Sequence, residues 1–455
     1  MSVIAGINKK SSLTPPQVMV LGFLLVIIIG AFLLSLPGMI QAGKHLSPLD
    51  AFFTSNSAVC VTGLVVTDTG TTFTFLGQLV VLALIQIGGL GFMTMSTIIF
   101  ALLRRRIGLR ERLLIRESLG QISLQGMVKL VKYVVRVTFI IEGTGALLLL
   151  TRWGPLYGFK RGLFLSIFHA VSAFCNAGFD ILGPYTGPFT NLTAFVGDPL
   201  VNIVICSLII SGGIGFMVIA DLYDTQRHHH PRLLLHTKIV LITTVVLIVV
   251  GTLAIFLLEY GNPATLGKLS LPQKIWASFF QAVTPRTAGF NTISIGDMSG
   301  ATLLLIVILM FIGASPGGTG GGIKTTTFAL LLISAGSVIS AGEEINISGR
   351  RIPFDLALRA LAITLLALFL VVIATMSLVI IEDKEFMSIL FEVVSAFGTV
   401  GLSTGITPKL SIVGKMIIPF VMFVGRVGPL TLALAIAMKT EQIEYRYPEE
   451  KLMVG

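Results

Sequence analysis

Ala58-Val59-Cys60-Val61-Thr62-Gly63-Leu64 is a short apolar stretch closed by glycine, and the chain holds three more like it. They are Ala173-Phe174-Cys175-Asn176-Ala177-Gly178-Phe179, Thr284-Pro285-Arg286-Thr287-Ala288-Gly289-Phe290 and Ala396-Phe397-Gly398-Thr399-Val400-Gly401-Leu402. The intervals between Gly63, Gly178, Gly289 and Gly401 are 115, 111 and 112 residues. Ten residues before each glycine stands a phenylalanine: Phe53, Phe168, Phe279 and Phe391. With 30 Phe in 455 residues, four such matches arise by chance at roughly 10⁻⁴, even after allowing for the offsets tried. The spacing predicts a fourfold internal repeat.

At 54% hydrophobic and 12% charged residues, with a mean hydropathy of +0.93, the chain cannot build a water-soluble surface. Several uncharged apolar runs reach the roughly 20 residues that cross a bilayer as helix. The first, 17–36, follows a short polar head and two prolines and is stopped by Pro37. A cleaved signal peptide would be shorter and end in small residues, so a retained first span is favoured. The net charge of +10 invites a nucleic-acid reading. Threading the spans from a cytoplasmic N-terminus, however, places the excess Lys and Arg inside and leaves the outside near neutral. No aromatic-interleaved basic patch competes with that reading. Cys60, Cys175 and Cys206 have neither metal-site nor disulfide spacing, and the matched Cys60 and Cys175 read as packing residues behind the loops.

Each repeat reads as span, half-helix, glycine loop, span. The expected divisions are a cytoplasmic N-terminus (1–16), repeat one (17–103), a basic cytoplasmic loop with repeat two (104–222), and a loop with repeat three (223–338). A loop with repeat four (339–437) and a cytoplasmic tail (438–455) complete the chain. Half-helices are placed at 48–58, 163–178, 273–289 and 386–401; Pro48 and Asp50 are N-terminal signals for the first. Too few residues remain for another crossing, so these segments enter the membrane and return, as irregular backbone can only where protein or water surrounds it. Two full spans per repeat put all four loops on one side, which the charge makes external. The predicted fold is an all-α polytopic membrane protein. Eight spans and four re-entrant helices form four membrane span–pore helix–membrane span repeats in pseudo-fourfold symmetry around one ion pore. The run His228-His229-His230 reads as a solvated basic loop rather than a metal site.

Glycine lets backbone adopt geometries that a side chain forbids and approach a ligand closely. Four such loops around an axis can aim carbonyl oxygens inward and replace the hydration shell of a permeating cation, with no acidic ring required. The negative ends of the half-helices add to the attraction. The candidate filter is Cys60, Val61, Thr62 and Gly63; Cys175, Asn176, Ala177 and Gly178; Arg286, Thr287, Ala288 and Gly289; and Gly398, Thr399, Val400 and Gly401. One glycine loop alone would be read as a packing device between helices; four in register are not.

With these loops, with QIGGLGFMT at 86–94, SGGIGFMV at 211–218, QAVTPRTAGFN at 281–291 and FVGRVGPLTLA at 423–433, the chain resembles the Trk/Ktr/HKT superfamily of potassium transporters. The resemblance covers essentially its whole length. The start directly at the first span, with no preceding pair, looks like the KtrB-type bacterial membrane subunit. The resemblance implies potassium uptake across the bacterial cytoplasmic membrane, with K+ the transported ion, Na+ an activator or co-ion, and both termini cytoplasmic. It also implies a homodimer and a cytosolic nucleotide-binding regulatory ring of the KtrA/KtrC type. Glycine at all four loop positions matches the family's potassium pattern, whereas some plant relatives with Ser in the first loop favour sodium. No organic cofactor and no enzyme activity are expected. The basic inner loops and the tail Lys439–Gly455 are the expected docking surfaces.

Gly313-Ala314-Ser315-Pro316-Gly317-Gly318-Thr319-Gly320-Gly321-Gly322 interrupts the second span of repeat three. Glycine density and the missing Pro316 donor forbid a regular helix there. Gly313 lies 24 residues past Gly289, Gly425 24 past Gly401 and Gly88 25 past Gly63, which puts the segment at mid-membrane depth. It is no phosphate-binding loop: Ile323 separates Gly322 from Lys324 and no strand precedes it. The candidate gate is Gly313, Ala314, Ser315, Pro316, Gly317, Gly318, Thr319 and Gly320, together with Arg426. Ser315, Thr319 and the loop carbonyls could hydrogen-bond it closed. An unpaired intramembrane cation such as Arg426 costs about 3 kcal/mol or more. The resemblance makes the segment an intramembrane gating loop and Arg426 an electrostatic barrier beside it. Arg286 is expected to turn behind the filter toward an acid such as Glu392, Lys324 to pair or snorkel, and Glu142 has no evident partner.

Two rival classes stand beside the pore. A secondary cation symporter (sodium/potassium) would work by alternating access through broken helices, but such folds commonly use inverted repeats, and these are parallel. A membrane-embedded enzyme would need a metal constellation or a nucleophile–base pair, and none emerges.

Overall fold

The computed structural model describes residues 14–91, 127–228, 233–340 and 344–436. The basic stretch Arg104–Arg116, His229, His230 and the C-terminal tail lie outside them. Taken by predicted repeat, the first holds α1 (Pro15–Leu34), α2 (Pro48–Val59) and α3 (Phe75–Leu90). The second holds α4 (Met127–Tyr157), α5 (Phe159–Phe174), α6 (Pro199–Gly213) and α7 (Phe216–His228). The third holds α8 (Leu235–Glu259), α9 (Leu271–Val283), α10 (Gly300–Phe311) and α11 (Thr325–Ile339). The fourth holds α12 (Phe354–Ile381), α13 (Phe386–Gly398), α14 (Gly414–Val427) and α15 (Pro429–Ile436).

The chain is a predominantly α-helical membrane protein. α1, α4, α8 and α12 are continuous and apolar enough to cross a bilayer. Their outward faces carry side chains such as Leu25, Phe32, Leu257 and Phe369, an apolar surface suited to lipid. The short helices α2, α5, α9 and α13 bury chiefly their C-terminal ends. In α2, Thr54, Ser55, Asn56 and Ser57 are buried, and Ser55 Oγ donates to the Ile27 carbonyl of α1 at 2.7 Å. Local signals start these helices. Ser47 accepts from the Asp50 N–H at 3.1 Å ahead of α2, while Pro48 gives up a donor the first turn cannot use. Ser270 and Gln273 form a capping box at α9.

The second crossings of repeats two and four, expected over about 200–222 and 412–437 with a bend at mid-membrane depth, are broken sharply. There α6 and α7 meet at 97°, and α14 and α15 at 94°. The cause is local: Gly215 and Gly428 have φ of +93° and +94°, a conformation no right-handed helix can pass through. α3 likewise stops at Gly91, with φ +83°. Repeat three is interrupted more extensively, between α10 and α11.

First and last repeats are joined. Lys415 Nζ pairs with Asp50 Oδ1 at 2.7 Å, and Asn56 Nδ2 donates to the Pro419 carbonyl at 2.9 Å. A small antiparallel hairpin, β1 (Ile345–Ile347) and β2 (Arg350–Ile352), turns on Ser348-Gly349, both at positive φ, in a segment read from sequence only as loop.

Candidate functional site

The four glycine loops follow one backbone path. Val61, Asn176, Thr287 and Thr399, each two residues before its glycine, have φ of 56°, 59°, 68° and 50°, and the glycines have 91°, 68°, 77° and 91°. Thr62, Ala177, Ala288 and Val400, between them, are not in that region. Residues of positive φ therefore alternate with residues of ordinary φ in each loop, a path that neither a helix nor a strand follows. A non-glycine residue held there costs about 1–2 kcal/mol, so four in register are a built conformation.

The loops also close on one another. A Cβ at Gly63 would strike the Ala177 carbonyl and lie 3.2 Å from Gly178 Cα. One at Gly178 would meet the Ala288 carbonyl at 2.7 Å and Gly289 Cα at 2.8 Å. At Gly289 it would meet the Val400 carbonyl at 2.5 Å, and at Gly401 the Thr62 carbonyl, with Gly63 Cα at 3.0 Å. The contacts run from 63 to 178 to 289 to 401 and back to 63, so the loops form a ring too tight for side chains. All four glycines line one cavity of about 730 Å³, shared with Asp68, Asp180, Asn191 and Asp297.

Four hydroxyls that sequence reasoning missed support the ring. The N–H groups of Thr62, Ala177 and Val400 each donate five residues back, to the carbonyls of Ser57, Ser172 and Ser395 at 2.8, 2.7 and 2.8 Å. In repeat three the Ala288 N–H reaches four back, to Thr284 at 2.9 Å. The third loop is one residue tighter, and Thr284 stands where the others have serine. Ser57 and Ser395 accept from the N–H groups of Gly63 and Gly401 at 3.1 Å each. Ser172 and Thr284 donate to the carbonyls of Phe179 and Phe290 at 2.8 and 2.6 Å. The signal was present as Ser six residues before three of the glycines. The slip also corrects the phenylalanine match. Phe53, Phe168 and Phe391 are fully buried, but in repeat three Phe279 is half-buried and Phe280 takes the buried place.

Beneath the ring the repeats diverge. Gly88, Gly212 and Gly425 press against the carbonyls of Val59, Phe174 and Phe397, where the half-helices end, and a Cβ at any of them would collide. Gly313 instead presses on the Gly321 carbonyl of its own segment. The segment folds back through Gly313 N–H to the Ile323 carbonyl at 2.8 Å and Thr325 N–H to the Ala314 carbonyl at 3.3 Å. Ser315 and Thr319 N–H donate to the carbonyls of Gly213 and Gly212 at 2.9 and 3.1 Å, and Phe216 N–H to Gly317 at 3.0 Å. Thr319 Oγ1 donates to the Phe174 carbonyl at 3.2 Å, and Gly321 N–H to Thr399 Oγ1 at 2.9 Å. Gly320 lies against the Thr287 side chain. Thus 313–322 touches two of the four positive-φ loop residues, yet none of it lines the cavity at the glycines.

Arg426 clasps this segment. Its Nη1 donates to the Thr319 carbonyl and its Nη2 to the Gly88 carbonyl, with the Gly89 carbonyl at 3.5 Å. One guanidinium therefore bridges repeats one, three and four. Lys324 Nζ donates to the Gly320 carbonyl at 2.7 Å, and Ser315 Oγ accepts from Thr325 Oγ1 at 2.8 Å.

The expected Arg286–Glu392 pair is overturned. Glu392 is buried but accepts from Ser403 Oγ at 2.9 Å and from Thr407 Oγ1, hydroxyls that follow its own loop. Arg286 is buried with Nη1 unpartnered, and no ion pair among the described residues includes it. Its carbonyl accepts from Asn176 Nδ2 at 3.1 Å, tying repeat two to repeat three. Cys60 and Cys175 are fully buried. Glu142, without a partner in the sequence reading, accepts from Gln86 Nε2 at 3.2 Å and from Cys175 Sγ at 3.7 Å.

This is the architecture of a polytopic membrane transport protein. Over residues 16–446 the sequence matches the model of the TrkH family of cation transport proteins, and the chain belongs to that family. It is 48% identical over 442 residues to the Ktr system potassium uptake protein B of Bacillus subtilis, covering 97% of each chain. It is 38% identical over 452 residues to the potassium/sodium uptake protein NtpJ of Enterococcus hirae, covering 98% of each. The crystal structure of the potassium transporter TrkH from Vibrio parahaemolyticus shares the fold, with a TM-score of 0.73 at 18% identity over 95% of this chain and 86% of that one.

Proposed function

We propose that the chain carries potassium across the bacterial cytoplasmic membrane through the glycine ring, and that segment 313–322 with Arg426 controls passage beneath it. The closed circuit of four glycines, each against the carbonyl preceding the next, carries the reading. The loop carbonyls gathered in this circuit can replace water around a desolvated monovalent cation. The half-helices end at the loops, so their partial negative ends favour the same ion. Potassium uptake stands in the names of relatives at 48% and 39% identity. The Ktr system names also support partner subunits, in line with a homodimer carrying a cytosolic nucleotide-binding ring and with docking on the inner loops.

Arg426 acts in two ways. From repeat four it ties the 313–322 segment to repeat one through the carbonyls of Thr319 and Gly88, and it puts a positive charge beside the path of a cation leaving the ring. Control consists of moving this latch.

A sodium-coupled symporter is the second reading, favoured by the near right-angle breaks in the second helices and by a relative named for both ions. Flux from liposomes in potassium, rubidium and sodium gradients separates the two. The pore reading expects potassium and rubidium to pass in preference to sodium, and Gly63→Ser to lower that preference. A fixed sodium stoichiometry with saturating flux, or unchanged potassium preference in Gly63→Ser, overturns it.

A further inference from the structure

A second cavity, of about 450 Å³, lies between α3, α4 and α5. Ala83, Ala146 and Val171 are among its apolar walls, and its rim is Leu79, Phe139 and Ile167, which are 37%, 62% and 40% exposed on the lipid-facing surface. Two polar side chains line it, Gln86 and Glu142. Glu142 is 4% exposed and held by neutral donors alone: Gln86 Nε2 at 3.2 and 3.4 Å from its two oxygens, and Cys175 Sγ at 3.7 Å. No ion pair among the described residues includes it.

A carboxylate at bilayer depth without a countercharge is strongly disfavoured, and neutral hydrogen bonds offset only part of that. Apolar volume, a lipid-facing mouth and one acid on the floor are complementary to a positive charge carried on an apolar chain. We propose that this cavity binds a lipophilic ammonium ion entering from the bilayer, its charge against Glu142 and its chain among Ala83, Ala146 and Val171. The occupant acts on transport through Cys175, whose thiol donates to Glu142 and whose backbone belongs to the second glycine loop. This second step rests on reading that loop as part of the ion path.

Equilibrium binding of radiolabelled dodecylamine to the full chain in lipid nanodiscs tests the site. The expected result is saturable binding displaced by unlabelled dodecylamine and not by dodecanol. Glu142→Gln should weaken it about tenfold or more, the loss of a single buried charge pair. Ala83→Phe, which fills the cavity and keeps the acid, should weaken it as much. Equal binding to wild type and both variants overturns the site, whatever the fate of the potassium reading. Dodecylamine should also alter wild-type potassium flux over the concentration range in which it binds, and should not alter it in Ala83→Phe. Binding lost in both variants alongside insensitive wild-type flux upholds the site and overturns its link to the loop.

Discussion

The glycine ring and the layer beneath it are built on the same repeats yet follow opposite rules. In the ring, four loops with different side chains share one backbone path, and each glycine is fixed by the carbonyl of the next loop. One layer down, three repeats seat a glycine on the end of a half-helix, while repeat three turns its chain back on itself and is clasped by Arg426. Where all four copies must meet, none can vary its backbone. Where they need not meet, one copy can be given to control.

The sharpest break of this comparison is Gly401→Ala. A methyl there is strained at φ +91° and driven into the Thr62 carbonyl. Together these cost about 3 kcal/mol, so potassium flux or its preference over sodium should fall about 100-fold; wild-type transport would show that the ring is not the shared element. Next in size is Arg426→Gln, which removes charge-assisted bonds to the carbonyls of Thr319 and Gly88. At about 1.5–3 kcal/mol each, their loss should raise resting flux tenfold or more while ion preference stays as it was. Unchanged resting flux sinks the latch.

Thr319→Val is milder. It loses the bond to the Phe174 carbonyl and keeps its own carbonyl for Arg426. About 1 kcal/mol predicts a roughly fivefold rise in resting flux, and the double variant should be less than additive because both changes act at one residue. Smallest is the effect of external pH. Asp180 is half-buried in the glycine-ring cavity, on the face expected to be external, where burial and the neighbouring Asp68 push its carboxyl up to about 7. It is charged above that pH and neutral below it, so cation attraction weakens as the outside is acidified from 8 to 6. Uptake at low ionic strength should fall about twofold, and Asp180→Asn should flatten the profile.

Much of this was legible in one sequence. Glycine spacing picked out the four loops because only glycine survives in that contact, and the run 313–322 declared itself by composition. The breaks at Gly215 and Gly428 hid inside spans whose apolar character continues on both sides, so hydropathy alone ran through them. The exchange of Phe279 for Phe280 was hidden because a fixed offset cannot register a loop shortened by one residue. Glu392 and Arg286 were paired by charge, yet sequence carries no distance between repeats, and nearby hydroxyls had already satisfied the acid. Glu142 found its partners on α3 and in a loop of its own repeat, neither of which periodicity could place.

A ring assembled from four identical subunits must accept every substitution four times over. Here the interrupted segment is written once, so a change in it is delivered at a quarter dose, with three quarters of the lower layer as an unaltered reference. Such a chain can be adjusted one quadrant at a time, and Arg426, which reaches three of the quadrants, is where a single replacement would be felt by the most of them.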